Sequence, residues 1–590
     1  MGPGRLTPFQ SGYVGGWTSD TPPPPIITVE ELAFGVGATW EPVEVGDDLV
    51  APSGPTDLER LVEGVRAAHE QLGLVAPRRP WLDTLAESYD LARSPQSRTD
   101  DQLIFGIADD PERQQQVPVA FHPDRDGNMV VFGTGGAGKS GFLRTLAIVA
   151  GLGLRGGPCH VYGLDFGARG LQMLDPLPHV GSIINGDDGE RVQRLLRKLR
   201  DTIDDRAARY AAVNAGTIDE YRTAAGQPDE PRLLLLVDGM GAFRQAYETA
   251  AAGRWFDLFQ QIAADGRQVG VHVIVSADRP SAIPTALGSV IQRQLVLRLA
   301  AENDYLTLNV PPDVLESASP PGRGIFDERE VQVTVLGGSA NTSRQATTIE
   351  RLAAELTAST DRKPAPPIER LSDRVTLDQL PVKVKSLPSL GLADDDLKPL
   401  AFVPEDILLV VGPPQSGKTS TMATIALSLQ RAKPGRFVYL GAGRSMLRSV
   451  ISWADEAVGI DAVTDLAGSL TDQVSAGSGP DAIFLEDLAA FVSGPAEMPL
   501  QDLLKACRAN GVFVATDCET SALASWPLHM AAKASRHGIA LQPDQFDGDA
   551  VFKTPFPRIS SAEFPPGRGI YVRRAGGRRF QAALPEVEPG

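Results

Sequence analysis

Residues Gly133-Thr134-Gly135-Gly136-Ala137-Gly138-Lys139-Ser140 fit the pattern G-x-x-x-x-G-K-[ST], and Gly412-Pro413-Pro414-Gln415-Ser416-Gly417-Lys418-Thr419 fits it again. In such a P-loop the backbone N–H groups cradle phosphates, the lysine reaches the β- and γ-phosphates, and the hydroxyl holds Mg²⁺. Both stretches therefore imply ATP with Mg²⁺ as cofactors, with Ser140 and Thr419 on the metal. A P-loop site that hydrolyses its nucleotide also needs a carboxylate for the metal and a neighbouring group that orients the attacking water. Asp238, closing the apolar run Leu233-Leu234-Leu235-Leu236-Val237, fits the metal role. The next residue is Gly239, which can hold no water. The matching stretch in the second half is Leu485-Glu486-Asp487, with Glu486 at the metal position and Asp487 at the water position. That order reverses the usual Asp-Glu and misplaces both groups by about one methylene. A misplacement of roughly 1 Å costs on the order of a hundredfold in rate. Both sites are expected to bind nucleotide and to hydrolyse it weakly or not at all. Ser276 and Thr516 are candidate γ-phosphate sensors, and Arg293 and Arg298 candidate arginine fingers reaching a neighbour.

The elements that must hold these groups are legible around them. Asn128–Phe132 and Ile407–Val411 are short apolar runs of buried-strand type, and helical stretches without Gly or Pro follow each loop, Phe142–Ala150 and Ser420–Lys433. Strand, glycine-rich loop and helix place phosphates on a helix N-terminus twice. Further strands are expected at Cys159–Asp165, Gly270–Ser276, Arg436–Leu440, Ala482–Leu485 and Gly511–Ala515, with a long amphipathic helix at Asp188–Val213. Strands alternating with helices predict an α/β fold: two tandem P-loop units, each a mainly parallel sheet flanked by helices.

The two halves share a second signature. Pro320-Pro321-Gly322-Arg323-Gly324-Ile325 recurs as Pro565-Pro566-Gly567-Arg568-Gly569-Ile570, each followed by a β-like segment with a glutamine, Gln332 or Gln581. The pattern reads as a turn entering a hairpin. A fainter copy, Pro3-Gly4-Arg5 and then Phe9-Gln10, opens the chain like the closing hairpin of a preceding unit. Proline-rich stretches at Thr21–Pro25 and Lys363–Pro367 read as linkers. The expected domains are an N-terminal stub and linker over 1–75, a first P-loop domain over 76–360, and a second, more degenerate one over 361–590.

Composition narrows the function classes. A net charge of −18 and a pI near 5.0 argue against a chain whose task is gripping a phosphate backbone. The basic runs Arg194–Lys198 and Arg573–Arg579 read as a solvated helix face and a strand end. Three cysteines, Cys159, Cys507 and Cys518, show no metal spacing and suit a reducing compartment. Cys507 and His272 read as core residues. No signal peptide or apolar run of about 18 residues is present, and no Ser/His/Asp triad or NAD fingerprint occurs.

Gly133–Ser140, Val237-Asp238-Gly239, Gly270–Ile274 before Arg279-Pro280, and the repeated Pro-Pro-Gly-Arg-Gly resemble the FtsK/SpoIIIE group of P-loop motors. Leu164-Asp165-Phe166-Gly167-Ala168-Arg169-Gly170-Leu171, Leu177-Pro178-His179-Val180-Gly181 and the tandem layout are similar to the EccC-type ATPases of type VII (ESX) secretion. That family carries a membrane anchor and three ATPase domains in a row. The resemblance implies the second and third, as in the family's split form (EccCb-like), with the anchored first domain on another polypeptide. It further implies a cytoplasmic protein recruited to the inner face of the membrane that oligomerises on assembly. Its partners would be secreted WxG-type helical-hairpin proteins, docking through a C-terminal signal on the last ATPase domain. Degenerate domains in this family are expected to bind ATP tightly and regulate the first domain. Ala277, where the family carries a hydroxyl, further weakens sensing in the first unit. The alternative is an FtsK/SpoIIIE-like DNA translocase, which calls for a basic channel and a C-terminal DNA reader. The acidic tail Pro585-Glu586-Val587-Glu588-Pro589 offers neither, so DNA is an unlikely partner. A free-standing ATPase or kinase is a third reading.

Overall fold

In the first half, four consecutive sheet neighbours are mainly apolar runs with no polar alternation, as a strand covered on both faces requires. Cys159–Asp165, Arg232–Asp238 and Val271–Ala277 are buried at every position. The computed structural model describes residues 55–75, 82–94, 99–153, 155–248, 253–359, 362–556, 564–574 and 576–585. The expected stub hairpin near Pro3 and the Pro22–Pro25 linker lie outside them. Contacts divide the chain between Asp83 and Thr84, and the two P-loop units both belong to the body that begins at Thr84.

The first unit contributes strands β1 (Tyr89–Asp90), β2 (Leu103–Asp110), β3 (Gln115–Phe121), β4 (Met129–Phe132), β5 (Cys159–Asp165), β6 (Val180–Asn185), β7 (Arg232–Asp238), β8 (Val271–Ala277), β9 (Arg293–Leu297), β10 (Arg323–Phe326) and β11 (Arg329–Val335). Their order is β3-β2-β11-β10-β9-β4-β8-β7-β5-β6, with β1 on β11. The second contributes β12 (Lys383–Val384), β13 (Leu387–Ala393), β14 (Pro399–Ala401), β15 (Ile407–Gly412), β16 (Phe437–Gly441), β17 (Asp455–Val458), β18 (Ala482–Glu486), β19 (Phe513–Glu519), β20 (Gly538–Leu541), β21 (Arg568–Arg573) and β22 (Gly576–Ala582). Their order is β12-β13-β22-β21-β20-β15-β19-β18-β16-β17, with β14 on β13. From β9 to β6 and from β20 to β17 the strands are parallel, and both P-loops leave the same place in the order.

Helices cover both faces of each sheet. The P-loop helix Lys139–Gly151 and the closing helix Thr342–Ser359 bury one face of the first sheet, and Gly189–Ala212 with Gly253–Asp265 bury the other. In the second unit, Lys418–Ala432 takes one face, and Ile460–Ser475 and Glu497–Asn510 the other. His272 and Cys507 are fully buried, as expected. His272 sits against the Gly127 carbonyl (Nδ1 2.9 Å), and burial holds its pKa well below the usual histidine range.

Two features depart from the sequence reading. Each parallel sheet carries an antiparallel wing, β3-β2-β11-β10 or β13-β22-β21, of which only the hairpin was foreseen. Its outer strand β3 is half exposed and short of apolar signal. The basic run Arg194–Lys198 is not simply a solvated face. Arg194 is buried, and its guanidinium holds Glu190 Oε1 (2.9 Å), Asp394 Oδ1 (2.9 Å), the Asp394 carbonyl (2.7 Å) and the Glu369 carbonyl. Arg197 adds the Asp395 carbonyl (3.3 Å). Asp394 lies in the turn after β13, so this helix of the first unit grips the second.

Arg194→Ala removes the guanidinium that holds Glu190 and Asp394 at 2.9 Å across the junction and leaves Glu190 with the more distant Arg568 at 3.8 Å. Breaking a buried pair in this way costs about 3–5 kcal/mol. Differential scanning calorimetry should show a lower melting temperature and a single transition splitting into two.

Candidate functional site

The first P-loop depends on backbone that only glycine adopts cheaply. Gly136 and Gly138 have φ of 74° and 109°, in the left-handed region that a Cβ disfavours. Gly138 is constrained a second time, because a Cβ there would lie 2.5 Å from the Gly322 nitrogen. Gly322 is the turn of Pro320-Pro321-Gly322-Arg323, and its N–H donates to the Ala137 carbonyl at 2.8 Å. The second site repeats the contact: Gly567 N–H donates to the Ser416 carbonyl at 2.8 Å, and a Cβ on Gly417 would come within 3.2 Å of it. The glutamines tie each turn down. Gln332 Nε2 donates to the Pro321 carbonyl (2.9 Å) while its Oε1 accepts from Arg323 Nε (2.9 Å); Gln581 does the same with Pro566 (3.1 Å) and Arg568 (3.2 Å). The repeated turn is thus the rear support of the phosphate loop.

At the first site Lys139 Nζ rests on the carbonyls of Gly133 (2.6 Å) and Thr134 (3.0 Å) and pairs with Asp278 Oδ1 at 2.7 Å. Ser140 Oγ donates to Asp238 Oδ2 (2.6 Å), Ser276 Oγ donates to Asp238 Oδ1 (2.5 Å), and Gly239 N–H donates to Ser276 Oγ (2.8 Å). Gly239 has φ 90°, and a Cβ there would meet the Phe166 backbone near 3.1 Å. The loop Phe166–Leu171 flanks this seat. Its N–H groups at Gly167 and Leu171 donate to Asp165 (3.0 and 2.9 Å), whose carboxyl is raised by burial and by the Asp238 charge. Arg144 reaches the Gly170 carbonyl (2.9 Å), and its pKa is lowered by burial.

At the second site Lys418 Nζ rests on Gly412 O (3.1 Å) and Pro413 O (3.0 Å). Glu486 Oε1 accepts from Ser445 Oγ (2.7 Å) and Thr419 Oγ1 (3.3 Å), and Oε2 from Tyr439 OH (2.8 Å). Burial and that carboxylate raise the Tyr439 phenol pKa, which keeps it a donor. Asp487 has φ 57°, the same hand as Gly239, and its exposed side chain joins Lys418, Thr419, Arg444, Glu486, Asp517 and Glu519 around a cleft of about 680 Å³.

Strand register corrects one expectation. Val131 pairs with Ser276 and Val410 with Asp517, while Leu485 pairs with Thr516 as Val237 pairs with Val275. Asp517, not Thr516, therefore takes the place of Ser276, and Asp487 N–H donates to Asp517 Oδ1 at 2.9 Å. Thr516 is buried on the opposite side of the strand. Arg293 is also placed differently from a projecting finger. It pairs with Asp327 (2.6 Å) and Asp126 (3.4 Å) and lies over the Phe326 ring. Arg298 is half-buried and donates to the Ser317 carbonyl of its own unit. Tyr439, Ser445 and Asp278 carry no signal of a site role in the sequence, and the glycine turns read there as hairpin entries, not as supports of the phosphate loops. Only pairing the two repeats strand by strand reveals Asp517 and the role of the turns.

The residues fit a magnesium nucleotide. A Cβ on Gly135 or Gly136 would meet nothing within 4 Å, so the cradle is open above the loop. A lysine ammonium lies on its rim, and a hydroxyl–carboxylate pair stands at the helix start. Residues 89–313 match the profile of the FtsK/SpoIIIE family. The chain carries an FtsK/SpoIIIE domain. The second sheet, which copies the first in strand order, is a second domain of FtsK/SpoIIIE type. Among curated proteins the chain is 26% identical over 270 residues to the type VII secretion system protein EssC of Staphylococcus aureus (strain MRSA252), covering 44% of this chain and 18% of EssC. It is 26% identical over 545 residues to the ESX-1 secretion system protein EccCb1 of Mycolicibacterium smegmatis (strain ATCC 700084 / mc(2)155), covering 82% of this chain and 88% of that protein. Its homologues are thus type VII secretion ATPases, and it spans under a fifth of EssC but most of EccCb1. ATPases 2 and 3 of Thermomonospora curvata EccC, solved with a signal sequence peptide, share the FtsK/SpoIIIE fold at TM-score 0.68 and 23% identity over 86% of this chain and 97% of that one. Among the described residues no helix is long and apolar enough to cross a membrane.

Gly138→Ala adds a methyl where there is neither left-handed tolerance nor space. The backbone penalty alone is about 1–2 kcal/mol, roughly a tenfold loss of nucleotide affinity, measurable by titration with a fluorescent ATP analogue. Asp517 is raised from 3.8 to about 6, chiefly by burial. The cost of burying its charge is absent below about pH 4 and complete above about pH 6. Asp517→Asn should therefore gain up to about 3 kcal/mol at neutral pH, and the melting-temperature difference from the parent should vanish towards pH 4.

Proposed function

We propose that the chain is an ATP-binding module of a type VII protein export motor, spanning a first ATPase domain over 76–360 and a second over 361–590. The observation that carries this reading is the pairing of two intact P-loops with two damaged hydrolytic sides in a chain that spans most of EccCb1. ATP with Mg²⁺, when bound, supplies phosphate charge in each cradle. Lys139 would leave Asp278 and turn to the β- and γ-phosphates, and Lys418 would make the same move from its carbonyls. Ser140 with Asp238, and Thr419 with Glu486, would hold the metal. Behind them, Gly239 offers no group to a water. Tyr439 and Ser445 hold Glu486 away from that role, and Asp487 is one methylene short of the usual glutamate.

Nucleotide then acts as a structural ligand. A secreted WxG-type helical hairpin docks through its C-terminal signal on the second domain, at the inner face of the membrane. The Arg194 junction passes that event to the first domain, and assembly with a membrane-anchored EccC-type ATPase domain permits hydrolysis there. The T. curvata complex with a signal sequence peptide supports this choice of substrate.

Nucleotide titrations and steady-state turnover on the full chain, with Lys139→Ala and Lys418→Ala variants, test the reading. Each variant should lose one of two binding events, and turnover should stay well below the ~1 s⁻¹ at the low end of ordinary enzymes. Turnover that rises strongly with added DNA would overturn it in favour of a translocase.

A further inference from the structure

The helix Asp57–Gln71 is built with care and buries nothing. Thr56 and Glu59 form a reciprocal capping box at its start, yet none of its residues is buried. Leu58, Leu61, Val62 and Val65 share one face at the i, i+3, i+4, i+7 spacing of a packing stripe, and all four are exposed, Leu61 at 64%. A helix of this length is marginal alone in water. Its stripe requires a surface.

The chain shows which kind of surface. Leu58-Glu59-Arg60-Leu61-Val62-Glu63-Gly64-Val65 repeats Ile349-Glu350-Arg351-Leu352-Ala353-Ala354-Glu355-Leu356, with Glu-Arg-Leu identical and all four apolar positions matched. In the later copy Ile349 and Ala353 are buried in the core of the first P-loop unit, and Leu352 and Leu356 pack against it. The segments downstream repeat as well. Proline-containing stretches, Ala76–Pro80 and Lys363–Pro367, lead to arms that the two hairpin arginines hold alike. Arg323 Nη2 donates to the Leu85 carbonyl (2.8 Å), and Arg568 Nη2 to the Leu371 carbonyl (2.7 Å). Asp90 then pairs in parallel with Val335, and Thr376 with Leu584, at corresponding positions three residues beyond Gln332 and Gln581, where each hairpin ladder ends. A closing helix, a proline stretch, a gripped arm and a P-loop unit thus follow one another twice.

We propose that the helix Asp57–Gln71 is a docking element for a further P-loop unit of this fold, seated as Thr342–Ser359 is seated on the first unit. The occupant is the unit of the membrane-anchored ATPase partner, so the inference rests on the function proposed above. The seating is continuous with an interface already in the structure, where the closing helix runs on into an arm bonded along the same unit through Ala365 N–H to Pro178 O (2.8 Å) and Tyr162 OH to Pro366 O (2.9 Å). A second copy of this chain has its seat filled by its own Thr342–Ser359. A membrane surface suits the helix poorly, because its polar residues are mostly acidic (Asp57, Glu59, Glu63 and Glu70 against Arg60 and Arg66), the opposite of a lipid-binding face.

The test is biolayer interferometry of the full chain against the detergent-solubilised, membrane-anchored P-loop ATPase of the same secretion system, with wild type and the Leu61→Glu/Val65→Glu double variant. The variant should bind at least about tenfold more weakly with an unchanged melting curve, and a peptide of residues 55–75 should compete with the wild type. Equal binding by variant and wild type would overturn the assignment of the helix while leaving the partner intact. No binding by the wild type would overturn the partner reading and the inference together. Self-association, or binding to phosphatidylserine vesicles, that the double variant abolishes would give the stripe to a second copy or to lipid and overturn the proposal.

Discussion

Gly138 and Gly322 approach so closely that neither the P-loop nor the hairpin turn can move without the other. A phosphate cradle needs several N–H groups aimed at one point, which no side chain can arrange. The loop that provides them has no packing of its own on the ligand side. Its shape must be imposed from behind, and in both units the Pro-Pro-Gly turn imposes it, with a glutamine and an arginine holding the turn in place. The antiparallel wing is therefore more than an extension of the sheet. It is the anchor against which the parallel half presents its loop.

The same economy governs the junction between the units. The arm at 365–373 lies along the helix Gly189–Ala212, bonded through Arg191 to Ile368 and through Arg194 to Glu369, and Arg194 also holds Asp394 in the turn after β13. These contacts are charged, buried and mutually dependent, so they give a defined orientation at the expense of tolerance to loss of any one partner. Two units joined in this way hold one orientation, which loosely tethered domains do not.

The sequence reveals the parallel halves of this fold well, because strands covered on both faces leave unbroken apolar runs and the P-loops mark where they end. The antiparallel wing is fainter: its outer strands face solvent on one side and carry ordinary residues. Site residues divide along the same line. The loop residues and the carboxylates at strand ends follow from local spacing. Asp517 does not, because a one-residue register between distant strands decides whether it or Thr516 faces the site. Tyr439 and Ser445 reach Glu486 from a neighbouring strand and the loop beyond it, and nothing in their own surroundings announces it. Arg194 reads as a solvated face in one dimension because Glu369 and Asp394, which bury it, lie 175 and 200 positions away along the chain.

Arg568 holds Gln581 of its own hairpin, Leu371 and Asp373 of the arriving arm, and stands 3.8 Å from Glu190 of the unit before it. Arg323 offers the same grip to Leu85 and Ala86. A contact of this kind has a direction, because each unit takes hold of what comes from its predecessor and gives nothing identical in return. It is heterologous, and heterologous contacts close into rings or run on as filaments rather than pairing off. The number of units in such an array is then limited by the supply of arms, not by an axis of symmetry.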